Sequence, residues 1–366
     1  VLDRASAGKE GPWTSHARME FLRSPKHLPG PCLGIPSLTF RAWYEARHGA
    51  AGWERLYKIA NQDWQDYLSW LQRVLALPVR HETEVTALRA QPGHIEAVLA
   101  DGASLRARRI VLATGRGGAG GLAVPDCVDA SLLPDYAIHT NAPYDISRLR
   151  GRAVAILGAG NSAWDHAAAA LEAGAARVDM YARRAALPQV NKGRGSAHPG
   201  FLEGWAAFTP AQRWELLVYM HDLQSPPPHE SMLRALRGPN LHVHLGCPIT
   251  AARRVADGVV LDVPTGTARA DLLLLATGFS IDLAREPMLR GLVPFIATWG
   301  DIYQPPPQLQ RPELAKFPWL GDDFALCERQ AGLCPSLNRI HLFNHGATAS
   351  AGQIASDIPG VNIAAN

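Results

Sequence analysis

The sequence has 366 residues, of which 47% are hydrophobic and 19% charged, a composition that is typical of globular proteins and excludes general disorder. Its formal net charge is only +3 and no basic run stands out, so we expect no nucleic-acid partner. The apolar stretches, such as residues 272–276, are as short as a strand, so we expect no segment that spans a membrane. Five scattered cysteines without a C-x-x-C pair argue against a zinc module or a dithiol centre and favour a cytoplasmic protein.

The chain opens with the tripeptide VLD at 1–3, which is short and apolar and ends in an acid. An acid at the end of the second strand of a dinucleotide-binding unit holds a ribose, which makes Asp3 a candidate cofactor ligand. The glycine turn of such a unit lies about 20 residues earlier, so we expect the native start to be missing before Val1. The alternative interpretation is a ragged terminus.

The next part of the chain predicts one helix and a small meander. Residues 62–75 have the pattern of a helix. Residues 81–88, 95–99 and 104–107 read as short strands, with a turn at Asp101–Gly102 between the second and third.

Two apolar strands in the sequence each end in the tripeptide A-T-G, at 113–115 and at 276–278. Small residues at the end of a strand let the chain cross close to a cofactor or between two domains. Thr114, Gly115, Thr277 and Gly278 are therefore candidate cofactor contacts, and the pair of motifs indicates a protein that binds two nucleotides.

The strongest local pattern lies between these two strands. Residues 152–157 form an apolar run, GAGNSA follows at 158–163, a helix-forming stretch ends near Gly174, and residues 176–182 read as a second strand. A glycine turn between a strand and a helix, followed by another strand, is the arrangement in which this spacing predicts dinucleotide binding.

The residues of the turn fit that chemistry one by one. Gly158 permits the tight turn, Gly160 lets the backbone approach a pyrophosphate, and Ala163 allows the helix to pack closely on the strand. The helix is expected to start near Ser162, and its free N–H groups point at the phosphates. The alternative is an ordinary strand-to-helix turn.

The end of the second strand indicates which cofactor is bound. NAD-type sites place an acid there, whereas this chain has Arg183 and Arg184. Two guanidinium groups suit a 2′-phosphate, which favours NADPH. Asp179 is the acidic competitor, but it lies in the middle of the strand, and the alternative reading of the arginines is a solvated basic turn.

Beyond this unit, Thr209, Pro210 and Gln212 predict a capped helix that runs to about Leu223. Residues 241–245 read as a strand that places two histidines on one side. Without a third ligand they are not expected to bind a metal.

The order of these motifs resembles the flavin- and NADPH-dependent monooxygenases with two dinucleotide-binding domains. The group includes flavin-containing monooxygenases, Baeyer–Villiger enzymes and N-hydroxylating enzymes, and the most specific shared feature is GAGNSA followed by Asp165. The segment FNHG at 343–346 is similar to the Asn-His-Gly of the N-hydroxylating members. SDIPG at 356–360 is similar to the late segment that closes over the flavin ribityl chain.

The resemblance implies an α/β fold of two Rossmann-like, three-layer domains. The FAD domain would consist of residues 1–145 and 285–366, and the NADP(H) domain, residues 150–283, would be inserted into it. The FAD domain would be incomplete, because its first βα unit is not in the sequence, and we expect this chain to bind FAD weakly for that reason.

The resemblance also assigns roles to individual residues. Asp3 and Asp357 would contact FAD, and Trp13 would stack on the flavin or shield it, unless it only anchors a basic surface loop. Asn344 and His345 would donate hydrogen bonds near the flavin as catalytic residues, although a polar turn is the alternative. Asn161 would reach the nicotinamide side of NADPH.

The implied function is an FAD-dependent, NADPH-consuming monooxygenase. Hydride would pass from NADPH to the flavin, and oxygen would reach a small organic substrate through a flavin hydroperoxide. The expected partners are that substrate and dioxygen, and the oligomeric state stays open. Two alternatives remain, namely a flavin reductase or oxidase without oxygenation and a non-catalytic NADP-binding protein.

Overall fold

The structure is a computed structural model that describes residues 1–28, 30–355 and 357–365. Its strands are β1 (Val85–Gln91), β2 (His94–Leu99), β3 (Ser104–Ala107), β4 (Ile110–Val111), β5 (Ala137–His139), β6 (Ala153–Leu157), β7 (Arg177–Tyr181), β8 (Leu241–His244), β9 (Ala251–Val255), β10 (Gly258–Val263), β11 (Gly266–Ala270), β12 (Leu272–Leu275) and β13 (Ile340–His341). Its α-helices are α1 (Phe40–Arg55), α2 (Asn61–Val74), α3 (Asn161–Glu172), α4 (Lys192–Ser196), α5 (Pro199–Gly204), α6 (Pro210–Leu223), α7 (His229–Leu236), α8 (Trp299–Ile302), α9 (Pro312–Ala315), α10 (Thr348–Ala351) and α11 (Ile358–Ala365).

The centre of the fold is a five-stranded sheet in the order β5-β12-β6-β7-β8, in which all neighbouring strands are parallel. Parallel strands covered on both faces read as continuous apolar runs. The four leucines of β12 are accordingly fully buried, and the middle of β6 is buried as well. The predicted strands at 152–157 and 176–182 are β6 and β7.

This sheet is the middle one of three layers. Helices α3 and α7 cover one face, and the alanines of α3 let its backbone approach β6 and β7 closely. The antiparallel sheet β9–β10–β11 covers the other face, where Val259 and Leu261 pack against β12. The three-layer arrangement agrees with the sequence prediction.

A second region joins distant parts of the chain. Strand β4 pairs in parallel with β13, so that Ile110 lies opposite Ile340, and the amide of Leu112 donates to the carbonyl of His341 at 2.8 Å. The late segment therefore returns to the strand that carries the first A-T-G. The domain boundaries proposed above stay a prediction.

The antiparallel meander β1–β2–β3 contains the strands expected at 95–99 and 104–107. The expected strand at 81–88 is wrong in position, because the meander uses Val85–Gln91 instead. The preceding residues pair with the chain start: Leu2 bridges Arg80 in parallel, and the amide of Thr83 donates to the carbonyl of Asp3 at 2.8 Å.

Two further cores surround these sheets. Helices α1 and α2 enclose an aromatic cluster built around Phe40, which stacks on Tyr44 and meets the ring of Tyr67 edge-on. Helix α6, which has the predicted capping box at Thr209, buries Trp214 against Trp299 of α8, with ring centroids 6.0 Å apart.

Candidate functional site

The glycine turn lies at the carboxyl edge of the parallel sheet, between β6 and α3. Gly158 has a φ of +121°, and a Cβ atom at this position would lie 2.7 Å from the backbone oxygen of Ala276 on the neighbouring strand. Its amide donates to the carbonyl of Tyr181 at 2.9 Å. Only glycine fits here, because both the backbone conformation and the close approach exclude a side chain.

The beginning of α3 presents polar groups to open space. Gly160 is the N-cap residue, and no atom lies within 4 Å of the position that its Cβ would take. The buried Oδ1 of Asn161 has no hydrogen-bond partner within the described ranges. Ser162 Oγ donates to Thr140 Oγ1 at 2.7 Å, and Ala163 is fully buried against the sheet. The free helix N-terminus fits the phosphates of a dinucleotide. The unpartnered buried amide oxygen of Asn161 fits its amide group.

The two arginines after β7 have different surroundings. Both are exposed. Arg184 donates a hydrogen bond to the carbonyl oxygen of Asp222, in α6, at 2.8 Å. The side chain of Arg183 forms no bond or ion pair with any described residue, so it is the guanidinium that is free to meet a phosphate.

The first A-T-G turn is tied to the late segment by one buried amide. Asn344 is completely buried, and its Nδ2 donates to Thr114 Oγ1 at 2.9 Å and to the carbonyl of Gly118 at 3.0 Å. Its Oδ1 accepts from the amide of Gly346 at 2.8 Å. The structure therefore brings Thr114 and Asn344 together, and the polar atoms of Asn344 are engaged within the protein.

His345 follows on the same turn. Its Nδ1 lies 3.3 Å from Thr348 Oγ1, and its ring meets the edge of Phe317. Burial, and then the positive charge of Arg116, lower the pKa of His345 to about 3. The imidazole is thus neutral at pH 7 and can accept or donate a hydrogen bond, but it carries no charge.

The two A-T-G segments meet in an antiparallel ribbon. Residues 119–123 pair with 278–282 through backbone bonds of 2.8–3.0 Å, with Leu122 opposite Phe279. Arg116, next to the first A-T-G, lies 5.7 Å from the centroid of the Phe279 ring and forms an ion pair with Asp357 at 3.2 Å. Asp357 and both A-T-G segments therefore lie in one neighbourhood.

The backbone of both A-T-G turns is open to close approach. Gly115 and Gly278 have φ values of +70° and +78°, and no atom lies within 4 Å of their Cβ positions. Thr277 Oγ1 donates to the carbonyl of Ala123, which fixes the second turn on the ribbon. Glycines of this kind fit a large cofactor that lies against the main chain.

Asp3 and Trp13 are placed by other elements. Asp3 Oδ1 accepts from the amide of Ala5 at 2.8 Å at the end of the extended chain start. Trp13 packs edge-on against Trp64 of α2, with centroids 6.3 Å apart, and its carbonyl accepts from Asn61 at 2.7 Å. Trp13 is therefore held by α2 rather than by the A-T-G turns.

Two residues of this site were missed from the sequence. Arg116 and Phe279 each follow an A-T-G directly, and this shared position is the signal that could have found them.

His139, at the end of β5, is buried, and its ring centroid is 6.5 Å from that of Phe279. Its Nε2 has no hydrogen-bond partner among the residues described, and burial lowers its pKa to about 4.

The histidines, acids and cysteines outside this site offer no metal or dithiol centre within the described residues. His244 hydrogen-bonds to Asp179 at 2.8 Å and stacks on Tyr181. The part of the chain that the structure describes contains no group of three or more His, Cys, Asp or Glu side chains that could hold a metal ion. All five cysteines are free. Within the described ranges, every helix is too short or too polar to cross a membrane.

Taken together, a parallel sheet with a glycine turn at its carboxyl edge and two A-T-G crossovers defines a dinucleotide-binding oxidoreductase. Residues 46–196 match the pyridine nucleotide-disulphide oxidoreductase family. The whole chain is 39% identical to the FAD-dependent urate hydroxylase of Xanthomonas campestris pv. campestris, and covers 77% of that protein.

Solved structures have the same fold at low sequence identity. The ornithine hydroxylase of Pseudomonas aeruginosa has a TM-score of 0.71 and 17% identity, with 100% of this chain and 89% of that chain covered. The L-lysine 6-monooxygenase of Pseudomonas syringae has a TM-score of 0.71 and 18% identity, with 100% and 90% covered.

The protein belongs to the family of FAD-dependent flavoprotein monooxygenases. The family recognised in the sequence, the α/β fold with Rossmann-like units and the monooxygenase function are thereby confirmed. FAD and NADPH are the cofactors of this family, in agreement with the cofactor prediction.

Proposed function

We propose that this monooxygenase uses NADPH to hydroxylate urate or a closely related small heterocycle. The observation that carries the proposal is the 39% identity to a urate hydroxylase over all 366 residues. The balanced reaction takes up one dioxygen, one NADPH and one proton, and gives hydroxylated substrate, water and NADP⁺. We also infer a cytoplasmic location, which the five unpaired cysteines support.

The pyridine nucleotide is proposed to lie at the carboxyl edge of the parallel sheet. The backbone of Gly158 and Gly160 would take the pyrophosphate, and Ala163 would keep α3 close to it. Asn161 and Ser162, at the first positions of α3, would present amide and hydroxyl groups to the cofactor. Arg183 would pair with the 2′-phosphate, and Arg184 would take a minor part because it already binds the Asp222 carbonyl.

The flavin is proposed to lie against the two A-T-G turns. Thr114, Gly115, Thr277 and Gly278 would contact it through the main chain, and Asp357 would approach from the late segment. Asp3 would bind its ribose and Trp13 would border the ring. Bound FAD would supply the redox chemistry, namely hydride uptake from NADPH and activation of dioxygen.

The two catalytic candidates take separate roles in this proposal. Asn344 has its amide engaged by Thr114 and Gly118, so we assign it the positioning of the turn on which His345 lies. His345 is neutral at pH 7 and its Nε2 forms no bond within the described residues, so it would accept or donate a hydrogen bond to the substrate.

The experiment is an NADPH oxidation assay of the purified chain, with and without urate, under ¹⁸O₂, in an excess of FAD because we expect its FAD binding to be weak. We expect urate to accelerate NADPH oxidation and to acquire one ¹⁸O atom for each NADPH consumed. Hydrogen peroxide equal to the NADPH consumed, with urate unchanged, would contradict the proposal and favour the oxidase alternative. The Gly158→Ala variant, which should not bind NADPH, controls for a contaminating reductase.

A further inference from the structure

An ion pair with a buried carboxylate joins the proposed NADP-binding helix to the beginning of the chain. Asp165 is the fifth residue of α3, and its side chain is 7% exposed, whereas that of its partner Arg23 is 41% exposed. Its Oδ2 accepts a hydrogen bond from Arg23, and its Oδ1 accepts one from Ser231 of α7. A buried carboxylate is tolerated only when it is paired, so this contact fixes the relative position of the two segments that it joins.

The backbone beside Arg23 is anchored to the residues that precede α2. The neighbouring Leu22 is 1% exposed, and its amide donates to the carbonyl of Ile59 at 2.8 Å. Phe21 forms a bridge with Ala60, just before α2. The Arg23 side chain therefore connects the start of α2 with α3.

A second arginine of the same segment contacts the neighbourhood of α3. Arg18 donates to the carbonyl of Tyr144 at 2.9 Å and lies 5.1 Å from the centre of its ring. The hydroxyl of Tyr144 in turn bonds to Nδ1 of His166 at 2.8 Å, and His166 follows Asp165 on α3. The segment 18–23 thus reaches two consecutive residues of the helix, one directly and one through a tyrosine.

The far end of α3 also contacts this segment, but through α7. Arg234 of α7, whose side chain is 9% exposed, pairs with Glu172, the last residue of α3, at 2.6 Å and donates to the carbonyl of Arg18 at 3.1 Å. The Asp165 pair lies in the second turn of α3, near the glycine turn, whereas the Glu172 pair lies at the other end of the helix.

We infer that Asp165 is a positioning residue for hydride transfer, which acts through Arg23. The pair fixes the N-terminal turn of α3, and any nucleotide bound there, relative to the part of the chain that contains Asp3 and Trp13. A misplacement of about 1 Å between reacting groups lowers a rate by about 100-fold. The position of α3 relative to the beginning of the chain therefore matters more for the rate of hydride transfer than for the affinity for NADPH. The inference rests on the proposed NADPH site.

The test uses a neutral pair, Asp165→Asn with Arg23→Gln, so that no buried charge is left unpaired. Amide hydrogen exchange of the cofactor-free protein should become faster at residues 161–166 and 18–23. The NADP⁺ dissociation constant, from calorimetric titration, should stay within about twofold, and anaerobic reduction of FAD by NADPH should slow by about tenfold. The matched control is a neutral pair on the antiparallel sheet, Asp262→Asn with Arg253→Gln, which removes an exposed ion pair and should change none of these values.

Unchanged exchange in the neutral-pair variant overturns the inference, and so does an equal effect of the control pair, Asp262→Asn with Arg253→Gln. A reduction rate that falls only as far as NADP⁺ affinity falls also overturns it, because Asp165 would then contribute to binding and not to positioning. If the parent protein binds both NADP⁺ and FAD but this FAD is not reduced by NADPH, the proposed function fails. Faster exchange at residues 161–166 and 18–23 in the neutral-pair variant would then still support the positioning of α3 by Asp165, and unchanged exchange would overturn it. Should the double variant not fold, Arg23→Gln is compared with Arg23→Lys, and equal exchange in these two overturns the inference.

Discussion

The different surroundings of Arg183 and Arg184 predict unequal effects of two neighbouring substitutions. Arg183→Ala removes the guanidinium that has no partner among the described residues, and Arg184→Ala removes one that already donates to the Asp222 carbonyl. We expect the first substitution to weaken NADPH binding clearly and the second to weaken it slightly. Neither should alter NADH binding, because NADH lacks the 2′-phosphate.

The magnitudes follow from the exposure and the partners of the two side chains. A hydrogen bond to a charged group contributes about 1.5–3 kcal/mol, and an exposed site lies near the lower end, which is about tenfold in affinity. Arg184 must first give up a hydrogen bond worth about 1 kcal/mol, so its net contribution is about 0.5 kcal/mol, or about twofold.

The assay is titration of each variant with NADPH and with NADH at two salt concentrations. The ratio of the two dissociation constants should fall by about tenfold in Arg183→Ala, and its dependence on salt should flatten, because an exposed charge pair is screened. Arg290→Ala, an exposed arginine outside the site, serves as the control. Full NADPH preference in both single variants would refute the reasoning and show that the phosphate is bound elsewhere.

Three further predictions concern stability and fold. Gly158→Ala should lower the free energy of unfolding in urea more than Gly266→Ala and should abolish NADPH binding. Both glycines have a φ of +121°, but only at Gly158 would the added Cβ meet a backbone oxygen, so an equal loss of unfolding free energy in the two variants would contradict this. Asn344→Ala should lower the free energy of unfolding by about 2–4 kcal/mol, since it leaves buried partners unsatisfied, and a loss near zero in calorimetry would argue against the buried bonds. His166 has its pKa lowered from 6.5 to about 3 by burial and then by nearby cations, so below pH 6.5 the unfolded chain takes up a proton that the folded chain does not. As the pH is lowered from 6.5 to 3, this group should therefore reduce the free energy of unfolding by up to about 1.4 kcal/mol per pH unit. His166→Gln should flatten the pH dependence of urea unfolding, and an unchanged slope would refute this.

The central unit was predictable because its signals are local. An apolar run, a glycine turn and an alanine-rich helix occupy consecutive residues, and β6, α3 and β7 fall where those signals predict them. The strand expected at 81–88 was wrong because residues near Arg80 pair with the chain start, and this long-range competition leaves no trace in local periodicity.

The candidate site was predictable in its residue types but not in its division of roles. The engagement of Arg184 depends on Asp222, which is 38 residues away in the sequence, and the role of Asn344 depends on Thr114, which is 230 residues away. No spacing rule connects such pairs. Their contacts arise only when the fold places α6 beside β7 and β13 beside β4.

The ribbon between residues 119–123 and 278–282 has a consequence for how this architecture can be rearranged. The polypeptide leaves for the parallel sheet and comes back at one place, where the Ala123 amide donates to the Gly278 carbonyl at 3.0 Å. The intervening 154 residues, from 124 to 277, thus form a loop whose two ends touch, but α6 within this loop buries Trp214 against Trp299 outside it. An exchange of the nucleotide-binding part between related enzymes should therefore join the chains at the ribbon and keep α6 together with its partner α8, and it would leave the pairing of β4 with β13 intact.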